Sequence, residues 1–244
     1  MSYSKLRKKF VILLWIGMIS LFVGHFYLPS LFPDHPDFYS NTLLVVLGLL
    51  FLLFVLMNRW FGKEALKILN ASTGIDFWYE WSQSGNRARF SISKQSARLA
   101  SVVYCYMIGD FSSVIDRIEY LQNQNIAKTD RSSLLGIFIK SSLLSGKGIS
   151  KEEIQKKFSY IFFKDEAEKD ETLQKQLAIY DILVDQQPND YFDHVSGSQA
   201  FQRLENRYFK GLNANLKGDL VQATSLFEEI AQEDERLYFV QMAK

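Results

Sequence analysis

The chain has 244 residues, with 28 Lys and Arg against 27 Asp and Glu and a formal net charge of +1. Residues 61–244 carry 23 basic and 25 acidic side chains, a formal charge of −2, which argues against a nucleic-acid partner because such proteins present a basic face. The single cysteine, Cys105, excludes an internal disulfide and a thiolate metal centre, and its place in the apolar stretch 99–108 reads as a small core side chain.

Two apolar segments open the chain. Residues 10–28 contain no Lys, Arg, Asp or Glu and, at about 1.5 Å per residue, span roughly 28 Å, close to the hydrocarbon thickness of a bilayer. Residues 42–57 are shorter and reach across with the collar 58–61, giving spans of about 10–28 and 42–60 within a hairpin of residues 1–62. The first run is longer than the apolar core of a secretory signal, and Leu28-Pro29-Ser30-Leu31 beyond it has no small-x-small cleavage pattern, so a retained span is expected.

Lys5, Arg7, Lys8 and Lys9 precede the first span, Arg59, Lys63 and Lys67 follow the second, and the loop between them has no Lys or Arg. Basic residues near a span stay on the cytoplasmic side, which predicts a multi-pass cell-membrane protein with both termini in the cytoplasm. The loop, residues 29–41, holds three of the four prolines and reads as a short stiff turn at the outer face. Phe38 and Tyr39 outside, and Trp60 and Phe61 inside, suit the aromatic belts at headgroup level. Ser20 and Gly24 are expected to let Gly48 approach closely, and His25, one turn from the outer end, to reach headgroups or water.

Residues 63–93 form an aromatic and basic juxtamembrane segment. Trp78 and Trp81 lie in Phe77-Trp78-Tyr79-Glu80-Trp81, and Arg87, Arg89, Lys94 and Arg98 follow. With Trp60, these rings and guanidinium groups suit a headgroup layer of anionic lipid; equally, the aromatics suit a cap packed on the first helix pair of the next domain.

From there the pattern is helical. Only Pro188 follows residue 36, no strand-like alternation is sustained, and Val114, Ile115, Ile118 and Leu121 line one face while Asp116, Arg117, Glu119 and Gln122 face away. The spacing predicts helices near 63–72, 94–108, 111–124, 130–145, 151–163, 171–187, 198–217, 220–232 and 235–244. Ser150 and Glu153 have the spacing of a capping box. The fold class is therefore all-α: two transmembrane helices followed by a helical domain over residues 94–244.

Gly211, Ala214, Gly218-Asp219, Ala223 and Phe227 occur at the spacing of a helix pair that crosses at small residues, with Phe227 filling the groove beside them. The segment resembles a tetratricopeptide unit, a helix pair of about 34 residues. Gly109-Asp110 followed by Val114, Ile118 and Leu121 repeats the punctuation, and the run from Leu177 to Leu183 before Pro188 resembles the second helix of a further unit. Arg207 and Lys210 stand where the family has Trp and Leu. The resemblance implies a tetratricopeptide-like solenoid whose groove takes a protein or peptide, with Asn206, Lys210, Asn213 and Lys217 as the partner-binding candidates in the last unit.

No catalytic constellation or cofactor motif stands out. Ser145-Gly146-Lys147-Gly148 lacks the earlier glycine and the preceding strand of a phosphate loop and reads as a helix-to-helix turn. Ser196-Gly197-Ser198 lacks a nucleophile-elbow setting, and Asp190, Asp193 and His194 have the spacing of an ordinary loop more than of a metal site. The expectation is a non-enzymatic membrane-anchored scaffold or adaptor, its oligomeric state open; the alternative is an accessory subunit of a membrane transporter or envelope-assembly complex acting through the hairpin.

Overall fold

A computed structural model of the chain describes residues 2–30, 38–87, 91–124, 126–163 and 165–244. It separates into two compact units, Met1–Ala71 and Ser72–Lys244. Among the described residues the regular elements are all helical.

The first unit is two helices, α1 (Tyr3–Ser30) and α2 (Phe38–Ala71), and both are long and apolar enough to cross a membrane. Large apolar side chains stand uncovered along them: Trp15 is 58% exposed, Phe22 63%, Leu44 69% and Phe51 71%. Contiguous apolar surface of this extent is costly in water and ordinary against lipid. The helices meet where Gly17 leaves room for Leu53, since a Cβ at Gly17 would lie 2.5 Å from Leu53 Cδ2. Gly24 and Gly48 meet nothing within 4 Å, so the close approach falls two turns from where the small-residue pattern put it. Phe61 packs edge-on against Tyr3 at 6.2 Å and Phe10 at 5.6 Å. The turn expected around Pro33 and Pro36 lies outside the described residues, as do the side chains of Phe38 and Tyr39.

α2 does not stop at the end of the apolar run. The helix predicted separately over residues 63–72 is its continuation to Ala71, nine residues past the expected hairpin boundary. Between Asn58 and Lys63 only Gly62 disfavours a helix, and a single interior glycine costs about 1 kcal/mol relative to alanine, too little to break one.

The second unit contains α3 (Ile75–Ser84), a 3₁₀ turn (Gly85–Arg87), α4 (Ser91–Met107), α5 (Phe111–Gln122), α6 (Lys128–Leu144), α7 (Lys151–Ser159) and α8 (Glu166–Tyr180). α8 runs into a π turn (Asp181–Asp185), followed by α9 (Tyr191–His194), α10 (Ala200–Leu216), α11 (Leu220–Ala231) and α12 (Tyr238–Ala243). One contiguous core reaches from Ile75 to Val240.

The two Gly-Asp turns have the same construction. Gly109 and Gly218 take φ of 79° and 82°, a left-handed conformation open to glycine, and the following amides bond back to Cys105 O and Ala214 O, each at 2.9 Å. Asp110 and Asp219 then cap the next helices, accepting from Ser113 N at 3.2 Å and Gln222 N at 3.0 Å. Of the box at Ser150, the hydroxyl accepts from Glu153 N at 3.2 Å, while the Glu153 carboxylate lies 3.5 Å from Lys157. α10 and α11 cross at Gly211, where a Cβ would sit 2.7 Å from Phe227 Cε1, and Ala223 is buried beside them.

The ends of this unit meet. Phe239 on α12 lies 6.2 Å from Tyr106 on α4, Tyr238 covers Gly109, and Arg236 Nη1 donates to Asp76 of α3 at 2.7 Å. In an open solenoid each repeat touches only its neighbours, and its first and last helices are separate caps. Here aromatic side chains near the C-terminus pack on the turn between α4 and α5, so the last helix of the unit meets its first ones.

Candidate functional site

Four helices converge on one carboxylate. Glu205 and Asn206 come from α10, Tyr106 from α4, Lys140 from α6 and Lys175 from α8. Tyr106 Oη donates to Glu205 Oε1 at 2.5 Å, Lys140 Nζ to the same oxygen at 2.6 Å, and Lys175 Nζ to Oε2 at 2.8 Å and to Asn206 Oδ1 at 2.9 Å. Lys140 also sits over the Tyr106 ring at 4.7 Å. The Glu205 side chain is 2% exposed, Lys140 12% and Lys175 19%.

Burial alone pushes the Glu205 carboxyl up, but Lys140 and Lys175 outweigh it and hold the group well below the usual carboxylate range. Burial, with the neighbouring Glu205 charge, raises the Tyr106 phenol well above its ordinary value. The Lys140 ammonium is lowered by burial, against the attraction of Glu205. Glu205 is thus fixed as an anion with three strong donors, a poor general base but a firm structural tie. Ser141 Oγ and Gln176 Oε1 are buried without a hydrogen-bond partner.

The residues nominated for a groove fall into three situations. Asn206 is buried within this cluster. Asn213 is fully buried, with Oδ1 accepting from Asn189 N at 2.8 Å and Nδ2 donating to Asp193 at 3.3 Å. Lys217 binds both Asp190 and Asp193 at 2.6 Å, and Lys210 is half-exposed and outside any described ion pair. The expected open line of Asn and Lys is corrected on this point: α10 turns Asn206 toward Lys175 of α8 and Asn213 toward Asn189 and Asp193 at α9, where they satisfy buried polar groups. Asp190 and Asp193 serve Lys217, which lowers the Asp190 carboxyl, and no group of three His, Cys, Asp or Glu that could hold a metal occurs among the described residues.

Of the interface candidates, Trp60 is half-exposed on α2 and belongs to the first unit. Trp78 and Trp81 stack at 5.2 Å on α3, Phe77 beside them is buried, and Tyr79 packs 5.3 Å from Tyr104 of α4. α3 is therefore the first packed helix of the second unit. The Arg87 side chain and all of Arg89 lie outside the described residues.

Sequence reasoning passed over a cavity of about 730 Å³ between the α6–α7 turn and the π turn, lined by Leu143, Lys147, Ile149, Tyr180, Leu183 and Val184 among others. Lys151 clamps the π turn by reaching Asp181 at 2.5 Å and Asp185 at 2.6 Å. Gln186 ends it in a left-handed conformation, φ 55°, and its side chain donates to the carbonyls of Ile182 at 3.2 Å and Leu183 at 3.0 Å. A π turn and a non-glycine residue at positive φ are both departures that cluster at functional sites. Val184 stands 49% exposed at this edge. The nearest sequence signals were Pro188, which stops the helix, and the glycines 146 and 148, which meet nothing within 4 Å and leave the mouth open.

No protein-family model, no curated protein and no solved structure matches this chain.

Proposed function

We propose that this chain is a membrane-anchored scaffold: the α1–α2 hairpin crosses the bilayer with both termini in the cytoplasm, and the helical unit, a tetratricopeptide-like array, binds a protein or peptide partner. The observation that carries the reading is the contrast between the two units, one uncovered apolar hairpin and one helical domain with its own continuous core. The repeated Gly-Asp turn and the Gly211–Phe227 crossing support the repeat resemblance. The π-turn cavity, apolar at Leu183 and Val184 with Lys147 at its rim, is the partner site, and Lys210 is the remaining basic contact on α10. Saturation of Glu205 by three donors speaks for a structural polar core.

A second reading keeps the accessory-subunit role, with the hairpin making the essential contacts. It is favoured by His25, whose Nδ1 is buried without a hydrogen-bond partner within the run 10–28 that has no Lys, Arg, Asp or Glu. A photocrosslinking residue in the full-length protein in native membranes separates the two. Placed at Val184, it is expected to give a discrete protein adduct, and placed at Glu229 on α11, none. Adducts from Phe22 on α1 with none from Val184 would reject the scaffold in favour of the accessory subunit.

A further inference from the structure

A second cavity, about 240 Å³, lies between α4 and α5 and is lined by Arg98, Ser101, Asp116, Arg117, Tyr120 and Leu121. The membrane-scaffold reading makes no use of it. Its two arginines are exposed, and neither is within ion-pair distance of a described carboxylate. Arg98 lies over the Tyr120 ring at 5.1 Å, which fixes its stem against an apolar wall. Arg117 Nη1 donates to Ser101 Oγ at 2.9 Å, and that hydroxyl in turn donates to Arg98 O at 2.6 Å. The Ser101 hydroxyl therefore orients one guanidinium and ties it to the helix turn that carries the other. Arg117 also neighbours the Cys105 thiol, which burial pushes up, and feels the Asp110 carboxylate, which is committed to Ser113 at the cap of α5 and is outside ion-pair distance of Arg117.

Lys94 stands one helical turn before Arg98 on the same helix, and Asp116 is the only acidic group in the lining, so the local balance is positive. A guanidinium fork matches two oxygens of one anion at once, and two forks held at one small cavity match an anion with three or four equivalent oxygens better than a two-oxygen carboxylate. Asp116 sits on the rim, exposed and beyond ion-pair range of both arginines, so it leaves their donors available.

We infer that the Arg98–Arg117 cavity binds a phosphate group, gripped between the two guanidinium forks with Ser101 orienting Arg117 and the Tyr120 ring as its wall. Two sources share this chemistry, inorganic phosphate and the phosphomonoester headgroup of an anionic lipid. The test uses the full-length protein in phosphatidylcholine nanodiscs, titrated calorimetrically with inorganic phosphate and, separately, with a short-chain phosphatidic acid below its micelle concentration. Saturable binding of at least one is expected; phosphate alone sufficing identifies the free anion, and binding of the lipid only identifies the headgroup. Arg98→Gln and Arg117→Gln should each weaken binding about tenfold to a hundredfold, the loss of one or two charge-assisted bonds. Arg98→Lys, which keeps the charge at an exposed position, should also weaken it because the fork is gone. Arg131→Gln on α6 should leave it unchanged. No binding of either probe, equal binding of acetate, or binding indifferent to the Arg98 and Arg117 changes in protein with unchanged thermal melting would overturn the assignment.

Discussion

Glu205→Gln is expected to destabilise the helical unit by about 3–5 kcal/mol, the cost of removing one partner from a buried ionic cluster. The wild-type cluster places one carboxylate against two ammonium groups, and the amide would leave Lys140 and Lys175 close together with no counter-charge. Lys140→Met should cost much less, because the cluster passes from a net +1 to neutral while Lys175 and Tyr106 still satisfy the carboxylate. Chemical denaturation followed by circular dichroism, on the full-length protein in detergent, measures both. The pH dependence has a definite sign. The folded Glu205 carboxyl lies below its unfolded value of about 4.3, so its contribution is complete above that pH and declines as the pH falls toward the folded value. Wild type should lose stability across that acid window, and Glu205→Gln should lose correspondingly less.

Phe239→Ala should cost about 3–5 kcal/mol, the range for a fully buried ring. The ring lies 5.0 Å from Tyr208 and 6.0 Å from both Phe201 and Phe209, as well as near Tyr106, and so joins α12 to α10 and α4. Its removal should therefore be felt at a distance in sequence. Amide hydrogen exchange is expected to accelerate around Tyr106 and Phe111 together with α12. Loss of protection confined to α11 and α12 would be the behaviour of an open nearest-neighbour stack and would contradict that contact between the ends of the unit.

Local features were the legible ones. Gly109-Asp110 and Gly218-Asp219 announced helix breaks because a left-handed residue followed by a side-chain cap is a requirement of a few adjacent positions. The heptad-like spacing of Val114, Ile118 and Leu121 marked a buried face, and all three are buried. α3 was hidden because aromatics at 77, 78, 79 and 81 surround the helix and blur its periodicity, although Phe77 and Trp78 both reach Trp81 across one turn. Glu205 was out of reach for another reason. Its partners lie 30, 65 and 99 residues away, on three other helices, and each is a single polar group within its own pattern. What the pattern does contain is the stripe Glu205, Phe209 and Asn213, four residues apart, with polar groups at both ends of a buried ring. Asn213 is buried because it ends that inward stripe, and Asn206 because it stands beside Glu205, where Lys175 reaches it.

Everything proposed about partners depends on the membrane placement of α1 and α2, and cysteine labelling of intact cells tests it most directly. With a cysteine at Ser30 and a reporter fused after Lys244, the account predicts that the Ser30 thiol reacts with an impermeant reagent from outside while the reporter is active only in the cytoplasm. Cys105 is buried and should not contribute to the signal. A Ser30 thiol protected until the cells are lysed, or a full-length chain released from membranes by alkaline carbonate, would contradict it.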